Sequence, residues 1–162
     1  LSKCLSPGLR LGFLTMPETL AERALNRHLS LAWMATPLMA EIAQDWIASG
    51  VADRLLAAQR IELAGRNRLA QRLLDGRSAG FPHGLHRWLP LPPGTDERAL
   101  LDRALDRGVA VAPGSGFAVT DRDPALRICL GAAPLREMER GLSILAGILP
   151  ESRPAGRPGP SV

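Results

Sequence analysis

An α/β fold follows from the order in which this 162-residue chain changes its apolar pattern. One short apolar run with strand character is followed by three helical periodicities. The second half then reads strand, helix, strand, strand, helix, which predicts a small α+β lobe. The hydrophobic fraction of 46% and charged fraction of 22% are ordinary for a globular chain, so a core can be buried.

The chain opens with Ser2-Lys3-Cys4-Leu5-Ser6-Pro7-Gly8-Leu9-Arg10-Leu11-Gly12. Pro7-Gly8 predicts a tight turn, because Pro fixes φ and Gly accepts positive φ. Residues 9–15 are mostly apolar and lie between Gly8 and Pro17, which predicts a buried strand. Pro17 and Glu18 then start a helix that carries Leu20, Ala24, Leu25 and His28 and fades near Ser30. Residues 37–49 place Leu38, Met39, Ile42, Ala43 and Trp46 on one face of a second helix, stopped by Ser49-Gly50. A long third helix, 51–74, is rich in Ala, Leu, Arg and Glu. Its alternating charges suit a solvated helix crossing between lobes.

Residues 76–84 read as a glycine-rich loop, and 85–91 as a strand containing Trp88, ended by Pro92-Pro93-Gly94. Thr95 is placed to cap the next helix, which carries Leu100, Leu101, Ala104 and Leu105 and ends at Gly108. A short β-rich run, 109–112, leads into Pro113-Gly114-Ser115-Gly116-Phe117; residues 126–130 form another strand, and Pro134 opens the last helix. The tail, 151–162, is rich in Pro, Gly and Ser and predicts disorder.

Several function classes drop out on composition. The net charge of +4 comes from arginines scattered among acids, with no basic block of the kind that tracks nucleic acid. Cys4 and Cys129 stand far apart in no metal or redox spacing, which fits a reducing cytoplasm. His83 and His86 lack a third ligand at a characteristic distance, so no metal site is expected. No segment offers a helix-turn-helix, a membrane span or a signal peptide. Arg127, inside an apolar strand, has three open explanations: the strand's wet face, a pairing with Asp121 or Asp123, or a bound anion.

The pattern S-K-x-x-x-P-G-x-R-x-G at the start of the chain resembles the cofactor-lysine segment of fold-type I pyridoxal-phosphate proteins, the aspartate-aminotransferase-like superfamily. The resemblance covers nearly the whole chain, 1–149. It implies the C-terminal part of that fold: the end of the large domain with the interdomain helix (1–75), then the small α+β lobe (76–150). It also implies that Lys3 forms the internal aldimine with pyridoxal 5'-phosphate, that Arg10 and Ser2 hold the phosphate, and that Arg127 binds a substrate α-carboxylate. Val111-Ala112-Pro113-Gly114-Ser115-Gly116-Phe117 is similar to the superfamily's active-site loop V-x-P-G-x-x-F. The chemistry suits these residue types. A Schiff base needs an amine that deprotonates near neutral pH, and a guanidinium fork with hydroxyl donors suits a phosphate.

Within the superfamily, three stretches resemble the MocR-type transcriptional regulators of the GntR superfamily. They are Trp46-Ile47-Ala48-Ser49-Gly50 with Arg60, Glu62 and Arg66; Gly84-Leu85-His86-Arg87-Trp88-Leu89-Pro90-Leu91-Pro92; and Leu126-Arg127-Ile128-Cys129-Leu130-Gly131. Aminotransferases more often carry serine or alanine at the last of these positions. The likeness implies an effector-sensing domain for an amino acid or amine, in a homodimer that meets DNA only through a domain absent from this chain. A pyridoxal-phosphate-dependent aminotransferase is the alternative, and an interaction module that has lost the cofactor is the third reading. Because the chain begins almost at its lysine motif, it is expected to be the C-terminal part of a longer polypeptide.

Overall fold

The computed structural model describes residues 1–120 and 123–150. Its contacts divide the chain into two compact units, Leu1–Ile61 and the residues from Glu62 on, each described by itself below. The predicted tail, 151–162, and Asp121 lie outside the described residues.

The first unit is helical. A single turn at the start is closed by the Leu5 N–H donating to the Leu1 carbonyl at 2.9 Å, and the 3₁₀ turn Pro7–Leu9 follows. Helix α1 spans Glu18–Ala32, α2 spans Pro37–Ala48, and α3, Val51–Leu73, begins here. Pro37 occupies the first turn of α2, where its missing N–H costs nothing, and Gly50 takes φ 72° between α2 and α3. The buried apolar side chains of this unit are Leu9 and Ala43, where the 3₁₀ turn packs on α2.

Two expectations are corrected here. Residues 9–15 form no strand: after the 3₁₀ turn the chain is irregular, with Phe13 and Leu14 74% and 78% exposed. A strand is stable only when its backbone groups find a ladder, and no strand among the described residues of this unit provides one. Nor does Gly8 take the left-handed conformation. Arg10 does, at φ 50°, as the residue that ends the 3₁₀ turn.

The second unit is built on a three-stranded antiparallel sheet in the order β1-β3-β2. Strands β1 (His86–Pro90), β2 (Ala112–Pro113) and β3 (Ala125–Cys129) are accompanied by α4 (Glu97–Leu105) and α5 (Leu135–Ile148). The register sets Trp88 opposite Arg127 and Leu89 opposite Leu126, with Ala112 opposite Arg127 on the other side. The period of two then sorts the faces. Leu89, Leu126 and Ile128 join the core with Ala70 and Leu74 near the end of α3, Leu100 of α4, and Met138, Leu142 and Leu145 of α5. Trp88 and Arg127 share the opposite face.

The cap of α4 is also corrected. Asp96, not Thr95, is the N-cap, its carboxylate accepting from the Ala99 N–H at 2.9 Å, while the Thr95 hydroxyl donates back to the Pro92 carbonyl at 2.6 Å.

Two arginines knit this unit together. Arg66 donates to the carbonyls of Leu130 and Ala133 at 2.8 and 2.7 Å and pairs with Glu62 one turn back on α3. Arg87 lies on the core face of β1 and is only 6% exposed. Its guanidinium reaches the Ser78 hydroxyl at 2.7 Å, Asn67 Oδ1 at 3.0 Å, the Ser78 carbonyl and the side-chain oxygen of Gln71. Burial pulls its pKa below the ordinary value. Every listener is a neutral oxygen, so the charge is solvated by dipoles rather than paired.

Candidate functional site

In the first unit, the turns at 1–5 and 7–9 fold the opening segment back on itself. Leu1 N donates to the Leu11 carbonyl at 2.6 Å, and Arg10 Nη1 donates to Ser2 Oγ at 3.4 Å. A guanidinium and a hydroxyl separated by eight positions in sequence are thereby set side by side, with Lys3 exposed on the turn next to Ser2. Arg10 takes a left-handed backbone where it ends the 3₁₀ turn. These are the donors a phosphate dianion takes, and the amine beside them is the group a carbonyl compound takes.

In the second unit, Arg127 stands at the centre of the sheet's outer face. Its guanidinium carbon is 4.3 Å from the centroid of the Phe117 ring, and Trp88 meets the same ring edge-on at 6.3 Å. Arg127 is half-buried, and among the described residues no side-chain hydrogen bond or salt bridge engages its guanidinium. No ion pair joins Arg127 to Asp123 among the described residues, and Asp121 lies outside them.

Beside this stack lies an open groove of about 720 Å³, lined by Trp88, Glu97, Ser115, Phe117, Thr120 and Asp123, among others. Its wall is the loop 113–117, seated directly on β3. The Gly114 N–H donates to the Ala125 carbonyl at 2.7 Å. A Cβ at position 114 would lie 2.8 Å from that carbonyl oxygen and 2.8 Å from Ala125 Cβ, so only glycine fits.

Glu97, the first residue of α4, holds this wall from the other side. Its Oε2 accepts from the Ser115 hydroxyl at 2.5 Å and the Ser115 N–H at 3.3 Å, and its Oε1 accepts from the Ala125 N–H at 3.0 Å. Burial pushes the Glu97 pKa up, but the hydrogen bonds from Ser115 and Ala125 outweigh it, and the net direction is down. Sequence reasoning missed this residue. Its partners are 18 and 28 positions away, which no periodicity reveals. The available signal was an acid in a helix's first turn with a donor-rich Pro-Gly-Ser-Gly loop downstream.

Ser2, Lys3 and Arg10 thus gather in the first unit, and Arg127 stands in the second with an aromatic stack. His83 and His86 belong to no metal-binding group among the described residues, and His83 meets the Phe81 ring edge-on at 5.8 Å.

No family model matches the chain. Among curated proteins, the HTH-type transcriptional regulator YdeF of Bacillus subtilis is 33% identical over 153 residues, covering 92% of this chain and 33% of that protein. A second regulator of that organism, YdfD, is 27% identical over 93% of the chain. The aromatic-amino-acid aminotransferase 1 of Thermococcus litoralis is 28% identical over 93% of the chain and 38% of its own length. The chain thus spans about a third of the length of the curated relatives it matches.

Among solved structures, the kynurenine aminotransferase of Pyrococcus horikoshii, determined with PMP, superposes on 91% of the chain with a TM-score of 0.82 at 21% identity, covering 38% of that protein. LysN, the α-aminoadipate aminotransferase of Thermus thermophilus, complexed with N-(5'-phosphopyridoxyl)-L-leucine, gives 0.79 over 91% of the chain and 40% of its own length, at 24% identity. Regulators and aminotransferases both match the sequence, and aminotransferases match the backbone. The chain has the C-terminal part of the fold-type I, aspartate-aminotransferase-like fold, and its sequence is similar to part of HTH-type transcriptional regulators such as YdeF.

Proposed function

We propose that this chain is part of the sensing domain of a pyridoxal-phosphate-binding transcriptional regulator that responds to an amino acid or amine. The observation that carries the reading is the meeting of Arg10 and Ser2 beside Lys3, in a chain whose relatives include regulators. Arg10 and Ser2 hold the cofactor's phosphate. Lys3 provides the amine through which the cofactor is held covalently, and an incoming amino compound displaces it. Bound pyridoxal phosphate supplies an aldehyde that captures primary amines. Arg127, half-buried and stacked on Phe117, receives the effector's carboxylate, for which a guanidinium fork is suited. The exchange of Lys3 for effector biases a dimer between two arrangements by differential affinity, and DNA is met through a domain outside this chain, in the cytoplasm.

In the full-length parent, Lys3→Ala is expected to abolish the visible absorbance of bound pyridoxal phosphate. A band that persists in the variant would remove Lys3 from the site. The aminotransferase relatives favour a second reading, in which the parent is an enzyme and Lys3 also moves a proton to and from the substrate Cα. Steady conversion of an amino acid and a keto acid by the parent would put that reading first.

A further inference from the structure

Glu97 gathers three donors from two places in the chain. Ser115 opens the 3₁₀ turn Ser115–Phe117, and Ala125 is the first residue of β3. Two residues beyond each anchor lie the two halves of the stacked pair: Phe117 beyond Ser115, and Arg127 beyond Ala125. One carboxylate therefore fixes the starting point of both arms of the cation–π contact. Gly114, which admits no side chain, closes the loop on the strand between them.

We propose that Glu97 is a positioning residue for Arg127, setting the plane of its guanidinium for a bound carboxylate by holding Phe117 beneath it. The proposal rests on the reading that Arg127 receives the effector's carboxylate. A guanidinium binds a carboxylate through two parallel N–H groups, so its plane matters as much as its place. The Phe117 ring beneath the guanidinium favours one plane for it, and among the described residues no side-chain partner takes its N–H edges. Glutamine is a poor substitute at 97. Its amide has one accepting oxygen, and its NH₂ would face the Ser115 or Ala125 donors.

The test uses the full-length parent loaded with pyridoxal phosphate. The twenty amino acids are screened by their shift of its visible band. The strongest binder and its decarboxylated amine are then titrated, and the ratio of their Kd values is compared across variants. Glu97→Gln is expected to lower the preference for the amino acid by roughly tenfold, as for one lost charge-assisted hydrogen bond, with the amine's Kd unchanged. Ser115→Ala, which removes one of the three donors, is expected to lower it less and carries the test if Glu97→Gln fails to fold. If both variants keep the preference while Arg127→Ala loses it, the role of Glu97 is overturned and the Arg127 reading stands. Equal losses for amino acid and amine also overturn it, because they mark a merely structural part. If Arg127→Ala keeps the preference, or no amino acid shifts the band, the Arg127 reading falls and the role of Glu97 falls with it.

Discussion

The two units of the chain solve unequal problems. Residues 1–61 form their helices as well as any in the molecule, yet bury only Leu9 and Ala43 among their apolar side chains. Leu31, Trp33 and Leu14 are more than two-thirds exposed, and α1 buries nothing. The residues from Glu62 on enclose a continuous core with Leu74, Leu100, Leu126, Leu130 and Leu145 almost wholly out of water. A helical pattern and a core are therefore separate achievements. The first is local and comes from propensity and spacing, while the second needs partners distant in sequence.

Isolated pieces should separate the two units most. Residues 62–150 expressed alone are expected to melt in one cooperative transition, and residues 1–61 alone to show none by circular dichroism or calorimetry. A cooperative transition in the shorter piece would erase the distinction. Single truncations sharpen it at a smaller scale. Leu126→Ala in the core is expected to cost about 2–5 kcal/mol in chemical denaturation, against about 0.5 kcal/mol or less for the exposed Leu31→Ala. Similar losses at both sites would mean that residue 31 is covered in solution.

The smallest effect is a pH dependence. Folding lowers the Glu97 pKa, so its contribution is fully present above the ordinary value of 4.5 and is lost as the pH falls through the lowered value. A Glu97→Gln variant should therefore lose less stability than the parent protein on acidification below that point. Parallel profiles would deny Glu97 its hydrogen-bonded role.

Much of the fold was legible from local signals. Helices α2, α3 and α5, and strands β1 and β3, fall within a residue or two of the expected bounds, because their apolar spacing matches the faces they present. The run 9–15 misled, since an apolar stretch between Gly and Pro does not say whether a neighbouring strand exists to pair with it. Of the two strand arginines, the one whose side chain must find partners is Arg87. The strand's alternation sends that residue inward, and its listeners Asn67, Gln71 and Ser78 come from a helix and a loop. Which of two strand arginines is buried depends on register, and register is fixed by tertiary pairing. The meeting of Ser2 and Arg10 was expected only through a family likeness. The Glu97 clasp was legible through neither route.

Gly114 has a consequence for how such a domain can change. Its backbone is pressed against Ala125, so the sequence there is closed to variation. Val119 and Thr120, on the same groove, are exposed and carry no such restriction. Drift and selection can therefore rewrite the chemistry of one side of the groove while the other stays fixed, and one scaffold can carry many different linings.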